Sequence, residues 1–566
     1  MSTNNGKILA AFMVLLLAGY AGLTFAKGGF YIGKHEGDTL HLLQILFRMQ
    51  GGDWPHLDFV TPIGILAFAP MLVFLKAGFG AGQAILAGQF IVAIAFFPFA
   101  WWVARSRFHG GWAYLFAATI LILSVALVHG ESVDAISISM YYNRWAWAAA
   151  FMAVSVAMVP PLEGRSSPMV DGVTVGVMMA IMALIKVTFF AAFFVPVLIG
   201  LLARKAGRTV LWAIVGGIVA AVLATLAVGT PVFWLAYLQD LLNVAGSSVR
   251  PHPGHDFAYV VSAPAYLGGS LIILAAVVLM RQADRKPEGL TLLLLAPAFF
   301  YVTYQNFGND PQWLWLLGLL LFARLPQTGL HNSFGWDLRQ SVILCAIAAM
   351  ALATPSFMNM TASPIRHFAT DVEKYVSLLP NSGSHEGIQT TTPRAYQMDF
   401  RAAVDSENAL FAGYAERVDR ANVEVTFNGE DLTYCSLDVG MVGWFEGIAN
   451  DIANWDGGEG ASIFTADLIS SYWLFADLSP LKRGAPWYYG ELTGIENADY
   501  LLVPRCPLSA PTRKAVLDEI SAQSWADNVT EVRRTDEYTL YSLPGEKGEP
   551  VAPKSNPEKQ DTEDGS

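Results

Sequence analysis

The stretch from residue 33 to residue 64 reads GKHEGDTLHLLQILFRMQGGDWPHLDFVTPIG, and strongly apolar segments lie on both sides of it. The apolar run before it ends near Ala26, so Glu36 and Asp38 stand just beyond a predicted membrane helix. A third acid, Asp58, precedes the next apolar run. Carboxylates at a bilayer surface are costly unless they are paired or solvated, so they indicate a working site. The alternative is an ordinary solvated loop.

The composition is that of a multispanning membrane protein. Of the 566 residues, 54% are hydrophobic and only 14% are charged, and the mean hydropathy is +0.41. Residues 1–355 carry 19 Lys and Arg against 14 Asp and Glu, whereas residues 356–566 carry 16 against 33. The shift predicts a membrane part followed by an acidic soluble part. An acidic surface of this kind is not expected to bind nucleic acid.

Eleven membrane crossings are predicted for residues 1–355. The apolar segments lie at 8–26, 83–103, 112–130, 145–161, 172–203, 209–228, 264–280, 290–304, 313–323 and 341–355. The segment 172–203 is too long for one span and is interrupted at Lys186, so we expect two short helices with that lysine between them. A further apolar segment, 62–79, contains two prolines and a lysine. We expect it to form a juxtamembrane or re-entrant helix within a first external loop at 27–82.

The distribution of basic residues predicts the orientation. Lysine and arginine near the ends of spans are expected in the cytoplasm. The residues concerned are Arg105, Arg107, Arg165, Arg204, Lys205, Arg208, Arg281, Arg285, Lys286, Arg324 and Arg339. This arrangement places a retained N-terminal signal anchor with its start in the cytoplasm and everything after residue 355 outside. The predicted location is the inner or plasma membrane of the cell.

The acidic part is predicted to hold an extracytoplasmic α/β domain at 356–545. Strand-like patterns occur near residues 461, 498 and 537, and the first of them is expected to run into a helix. Residues 546–566 have almost no apolar content to bury and are expected to be disordered. If this part is exported, Cys435 and Cys506 can form a disulfide; two separate buried thiols are the alternative.

Polar side chains suited to a charged amphiphile converge on the predicted outer face. The candidate substrate-binding residues are His41, Asp58, Glu131, Asp134, Asn143, Arg144, Lys186 and Arg250. A carboxylate of Asp38 or Glu36 can act as general base on an acceptor hydroxyl. Arginine and lysine side chains can neutralise the charge that develops on a phosphate leaving group. The pattern therefore predicts group transfer from a lipid phosphate.

Each of these assignments has a structural alternative. Asp38 can be the N-cap of the helix that the following residues predict, and both roles are compatible. Arg144 can be an interfacial anchor beside Trp145. Lys186 in the middle of an apolar run favours a functional role. A divalent metal ion bound by His35 or His41 together with the acids is a weaker hypothesis, and no cofactor is predicted firmly.

The first external loop resembles that of the GT-C superfamily of integral-membrane glycosyltransferases, which includes mannosyltransferase-like and aminoarabinose-transferase-like enzymes. The resemblance rests on Glu36 and Asp38 after the first helix, followed by Gly52, Pro55, Asp58, Phe59, Pro62 and Gly64. It implies transfer of a sugar from a polyprenyl-phosphate carrier to an envelope glycan, lipid or protein on the outer face. Asp38 is the best match for the catalytic acid and Glu36 the second. Two acids that are adjacent in the family are separated here by a glycine, so the resemblance leaves open which of them is the base.

Two other functional classes are compatible with the sequence. A transporter or flippase of a lipid-linked sugar more often has repeat symmetry and broken helices with polar groups at mid-membrane, whereas here the polar groups gather at one face. A non-catalytic polytopic scaffold explains the acidic domain but leaves the first loop without a role. The sequence favours the enzyme.

Overall fold

The computed structural model describes residues 5–130, 134–247, 249, 257–306, 311–380, 387–402, 409–410, 412–414 and 423–544. The α-helices span Gly6–Phe25, Glu36–Gly51, Ala69–Lys76, Ala81–Arg107, Gly111–Val125, Tyr141–Met158, Pro168–Ile185, Val187–Ala203, Gly207–Val228, Val232–Gly246, Phe257–Ser262, Pro264–Gln282, Lys286–Gln305, Gln312–Ala323, Leu338–Phe368, Thr392–Tyr396, Met441–Ala453 and Ala510–Ser521. The strands span Phe30–Ile32, Tyr375–Ser377, Ile388–Thr391, Asp399–Ala402, Val423–Phe427, Glu430–Thr433, Cys435–Val439, Ile463–Thr465, Tyr500–Pro504, Thr530–Arg534 and Tyr538–Ser542. The chain is thus mostly helical with a strand-containing C-terminal region, as predicted.

Six helices in the described part are long and apolar enough to cross a bilayer, which identifies a polytopic membrane protein. They are Gly6–Phe25, Ala81–Arg107, Pro168–Ile185, Gly207–Val228, Ala265–Gln282 and Leu338–Phe368. Shorter apolar helices occupy Gly111–Val125, Val187–Ala203 and Gln312–Ala323. Every predicted crossing segment contains a helix, while the count of eleven crossings stays a prediction.

The interruption predicted at Lys186 is confirmed. One helix ends at Ile185 and the next begins at Val187, and Lys186 between them has extended backbone angles of φ −155° and ψ 107°. The apolar segment 62–79 contains only a 3₁₀ turn and the helix Ala69–Lys76 of 8 residues. A helix of that length rises about 12 Å, which is too short to cross a bilayer.

The helices pack through small residues where their backbones come closest. Gly176 in Pro168–Ile185 faces Gly207–Val228, and a Cβ atom built on it lies 2.0 Å from the carbonyl oxygen of Ala213. Any side chain larger than hydrogen would push these two helices apart. Close packing through small residues is a common way for helices to associate in membranes, where lipid removes most of the hydrophobic driving force.

The C-terminal region contains a mixed four-stranded sheet. Its strands follow the order Thr530–Arg534, Tyr538–Ser542, Tyr500–Pro504 and Ile463–Thr465. The last pair is parallel and the others are antiparallel. The three predicted strands are therefore confirmed, but the helix expected after the first is a single 3₁₀ turn at Ser471–Leu474. Cys435 and Cys506 form a disulfide, which decides between the two alternatives for these cysteines.

A strand of the first loop belongs to the C-terminal part of the chain. Phe30–Ile32 pairs in parallel with Ile388–Thr391, which in turn pairs with Tyr375–Ser377. The small sheet holds the first loop against residues more than 340 positions later in the sequence. No local pattern predicted this pairing. This pairing fixes the position of the chain just before the acids of the first loop.

Candidate functional site

The acidic stretch forms the first turn of a helix. Glu36–Gly51 begins two residues before Asp38, and His35, with φ +64°, is its N-cap residue. The interpretation of Asp38 as the N-cap is therefore wrong. The helix starts earlier because the preceding residues are held in place: the Gly33 amide donates to the carbonyl oxygen of Ile136 at 2.9 Å. Two acids in the first turn interact favourably with the positive end of the helix dipole.

Glu36 is buried in a bidentate ion pair. Its Oε1 and Oε2 accept hydrogen bonds from Arg394 Nε at 2.5 Å and Nη2 at 2.6 Å. Thr390 Oγ1 donates a third hydrogen bond at 2.7 Å. Only 3% of the Glu36 side chain is exposed. The hydrogen bonding of Arg394 to Glu36 raises the pKa of Arg394, so the guanidinium remains charged. Asp38, by contrast, is half-buried.

His35 joins the first loop to the loop that precedes the helix Tyr141–Met158. Its Nδ1 lies 2.9 Å from the hydroxyl of Ser137, and its ring lies 6.2 Å from that of His129. Burial, followed by the charges of Lys34 and His129, lowers the pKa of His35 to about 4. The imidazole is therefore neutral at physiological pH. A neutral ring is suited to a hydrogen-bonded support and unsuited to phosphate binding.

Lys186 lies in a polar cluster at the break between two helices. Its Nζ donates to Oδ1 of Asn306 and, at 3.3 Å, to Oδ1 of Asn143. The ammonium group also lies 5.7 Å from the ring centre of Tyr142. Asn143 and Tyr142 belong to the helix that the loop containing Ser137 enters. The chain from Ser137 to Asn143 therefore connects the residue that contacts His35 to the residues that contact the lysine.

The two helices that meet at Lys186 also line an apolar cavity. It measures about 360 Å³ and lies among the helices Pro168–Ile185, Val187–Ala203 and Gly207–Val228. Ala183 and Trp234 contribute to its wall, and Ala183 precedes Lys186 by one turn of chain. An apolar cavity bounded by these helices, with a cation at the junction of two of them, suits an amphiphile with an anionic head group.

Two further predicted residues are buried in packed surroundings. Arg144 is fully buried and donates from Nη1 to the carbonyl oxygen of Leu123 at 3.4 Å and from Nη2 to Oε1 of Gln89 at 3.3 Å. His41 is 8% exposed, and its ring packs edge-on against that of Trp487 with the ring centres 5.3 Å apart. These contacts place Arg144 inside the helical bundle and His41 against the C-terminal part of the chain.

Two predicted acids are exposed. Asp58 caps a turn, because its Oδ2 accepts the Trp54 amide at 2.7 Å. The carboxylate of Asp134 is 82% exposed and lies 3.9 Å from Nη1 of Arg366. Exposed charges at these separations contribute little to stability. Neither contact brings the acid close to the Lys186 cluster.

Glu131 and Arg250, which were also predicted to bind substrate, lie outside the described residues. Within the described part, no three or more His, Cys, Asp or Glu side chains are arranged to hold a metal ion. His35 instead bonds Ser137, as above. The metal site remains a hypothesis without a donor set in the described residues.

Sequence reasoning missed two partnerships. Arg394 binds Glu36 from 358 positions away, and no sequence signal pointed to it. His56 lies 2.8 Å from Asp240, also buried, at a separation of 184 positions. A signal for the second existed, since Asp240 is the only acid in the apolar helix Val232–Gly246, and an acid in such a helix is expected to have a partner.

Comparison with known proteins gave one structural likeness. No protein-family model matches the chain, and a search of curated proteins found no match. Among solved structures, the chain is similar to the crystal structure of ArnT from Cupriavidus metallidurans in the apo state, with 12% sequence identity and a TM-score of 0.38. The alignment covers 94% of this chain and 98% of that one. A likeness this distant carries no argument about function, which must come from the site itself.

Proposed function

We propose that this protein is a membrane glycosyltransferase that moves a sugar from a polyprenyl-phosphate carrier to an acceptor on the extracytoplasmic face. The observation that carries the proposal is the position of Lys186, a cation held by Asn143 and Asn306 at the junction of two helices that also line an apolar cavity. The cavity is suited to a lipid chain and the ammonium group to its phosphate. The disulfide between Cys435 and Cys506 supports an oxidising, extracytoplasmic environment for the C-terminal region.

The two acids of the first loop have different roles in this proposal. Glu36 is engaged by three hydrogen bonds and holds the helix to the C-terminal part of the chain. A carboxylate whose oxygens already accept these hydrogen bonds is poorly placed to accept a proton from an acceptor hydroxyl. Asp38 lies two residues further along the helix. Its side chain is half-buried, so it is the better general base.

The reaction is a single displacement with inversion. Asp38 accepts the proton of the acceptor hydroxyl while the oxygen of that hydroxyl forms a bond to the anomeric carbon of the sugar. The bond between that carbon and the carrier phosphate breaks, and the electron pair leaves with the phosphate oxygen. Lys186 stabilises the charge that builds on the phosphate, an effect worth several kcal/mol where water is scarce. The products are the glycosylated acceptor and the polyprenyl phosphate.

The test is the replacement of Asp38 by Asn. Cells that lack the protein are complemented with the wild type, Asp38→Asn or the control Asp53→Asn, and envelope glycans and lipids are compared by mass spectrometry. We expect Asp38→Asn to reproduce the profile of the deletion, at unchanged protein level. Asp53→Asn should restore the wild-type profile.

The opposite outcome is equally informative. A wild-type profile from Asp38→Asn removes Asp38 as the general base, and wild-type profiles from both Asp38→Asn and Glu36→Gln overturn the proposed enzyme. A transporter would instead move a fluorescent polyprenyl-phosphate sugar across proteoliposomes without consuming it. Purified protein that cleaves the sugar from that lipid excludes transport alone.

A further inference from the structure

His56 and Asp240 form a buried hydrogen-bonded pair that connects two separate segments. Nδ1 of His56 donates to Oδ2 of Asp240 at 2.8 Å, and their side chains are 0% and 6% exposed. The same carboxylate oxygen accepts the backbone amide of Thr61 at 3.0 Å. One acid therefore fixes both ends of the turn from residue 56 to residue 61. His56 itself has φ +72°, an unusual backbone conformation that the surrounding contacts must maintain.

Asp240 belongs to a helix that buries only a few of its side chains. Val232–Gly246 follows the span Gly207–Val228 after a turn of three residues, so it starts at the end of a membrane helix. Its exposed face carries leucines, which suits contact with lipid: Leu235, Leu238 and Leu242. Its buried face carries Phe233, Tyr237 and Asp240. Asp240 is the only charged group in the helix, and it faces the protein.

Both segments joined by this pair support the helix end at Lys186. A helix that stops leaves its last carbonyl groups without partners in the helix. The hydroxyl of Tyr237 donates to the carbonyl oxygen of Ala183 at 2.8 Å. From the other segment, the amide of Gly64 donates to the carbonyl oxygen of Ile185 at 2.9 Å. The approach is so close that a Cβ atom on Gly64 would lie 2.1 Å from the carbonyl oxygen of Leu184.

We propose that the His56–Asp240 pair is a positioning element that fixes the Lys186 ammonium group. The pair locks the turn at 56–61 to the helix Val232–Gly246, and these two segments then hold the last carbonyl groups before Lys186. Neither His56 nor Asp240 touches the substrate. The benefit for lipid-phosphate binding rests on the proposed function, whereas the mechanical coupling to Lys186 does not.

The coupling is measured without substrate, on the full chain in lipid nanodiscs. Sulfosuccinimidyl acetate acylates accessible amines, and mass spectrometry gives the acylation rate of Lys186 relative to the exposed Lys514 of the same molecule. We expect Asp240→Leu to raise the relative rate of Lys186 roughly fivefold to tenfold, as expected when about one hydrogen bond of restraint is lost. Asp240→Asn retains an oxygen acceptor and should stay within about twofold of the wild type.

Two further variants separate positioning from folding. Tyr237→Phe removes only one hydroxyl and keeps the ring, so it should raise the rate in the same direction even if Asp240→Leu fails to fold. Asp171→Asn is the matched control, since Asp171 is a buried, ion-paired acid at the other end of the helix that ends at Ile185. It should lower thermal stability and leave the relative rate of Lys186 unchanged.

The outcomes decide the proposal. Unchanged Lys186 rates in folded Asp240→Leu and in Tyr237→Phe overturn it, as does an equal rise in Asp171→Asn. As a second readout, farnesyl phosphate should slow the acylation of Lys186 in the wild type at a concentration several times lower than in Tyr237→Phe. Failure of this protection with intact coupling argues against the proposed function and leaves the positioning role in place.

Discussion

Replacing Glu36 by Gln should destabilise the protein without abolishing its chemistry. The substitution removes the charge that faces Arg394 and weakens three short hydrogen bonds. Breaking one side of a fully buried ion pair costs about 3–5 kcal/mol. Here the Arg394 side chain is 31% exposed, so water can solvate part of the orphaned guanidinium. We therefore expect a loss of about 2–3 kcal/mol in the free energy of unfolding.

A double-mutant cycle isolates the interaction between the two side chains. The proteins are the wild type, Glu36→Gln, Arg394→Met and the double variant, unfolded in mixed micelles of increasing SDS content and followed by tryptophan fluorescence. Because the double variant leaves no uncompensated charge, it should be more stable than the sum of the single losses predicts, by about 1.5–3 kcal/mol. A coupling energy below about 0.5 kcal/mol would refute the view that this pair holds the first loop in place.

The same variants assign the roles of the two acids. Glu36→Gln should keep sugar transfer when assayed well below its unfolding temperature, since Asp38 is retained. Asp38→Asn should lose sugar transfer while the protein remains folded at the temperature of the assay. If instead Glu36→Gln is folded and inactive while Asp38→Asn is active, the assignment of the general base is reversed.

Two further predictions concern stability. The first uses the pKa of His35, which burial lowers to about 4 from an ordinary 6.5. The unfolded chain takes up the proton first as the pH falls, so stability present above pH 6.5 is lost between pH 6.5 and 4, by at most about 3 kcal/mol. His35→Asn, which tolerates the same positive φ, should flatten that part of the stability curve; an unchanged curve would contradict the assignment. The second concerns the disulfide, which closes a loop of 71 residues. Replacing Cys435 and Cys506 together by Ser should cost about 4 kcal/mol on chain-entropy grounds. Alkylation of both cysteines without a reducing agent, read by intact mass, would rule out the bond.

Local patterns predicted the parts of this fold that are local in origin. The apolar segments and the interruption at Lys186 follow from hydropathy, because a helix in lipid must satisfy its own backbone and a charge within it must reach a polar site. The strand at Ile463–Thr465 was likewise predicted from its local sequence. The helix expected after it did not form, because Tyr472 and Phe475 pack on Phe445 from a 3₁₀ turn.

Contacts between distant segments could not be predicted, and they define the candidate site. Glu36 and Arg394 are 358 positions apart, and His56 and Asp240 are 184. A single sequence indicates which residues need partners, because an acid in an apolar segment is expected to be paired. It does not indicate which residue the partner is. The prediction of Asp38 as the N-cap residue was wrong for a related reason. The helix start is set by the contact of Gly33 with the neighbouring loop, which local capping preferences do not contain.

The helix Glu36–Gly51 is held along its length by the C-terminal region. Beyond the ion pair at Glu36, the buried amide of Gln44 donates to the hydroxyl of Ser471 at 2.8 Å and to the carbonyl oxygen of Pro486 at 3.1 Å. Arg48 donates to the carbonyl oxygen of Leu481 at 2.9 Å and is 3% exposed. Burial lowers the pKa of Arg48 to about 10, which still leaves it charged at neutral pH.

These contacts change the role that the C-terminal region must have. Without it, the buried polar groups of Gln44 and Arg48 would lose their partners, at a cost of about 1–3 kcal/mol each. The orientation of the helix would then no longer be fixed by these contacts. The position of Asp38 in its first turn would no longer be fixed either. A region that only recognised an acceptor would not need to satisfy buried groups of the membrane part. The C-terminal region is therefore part of the structure that orients Asp38, whatever it binds in addition.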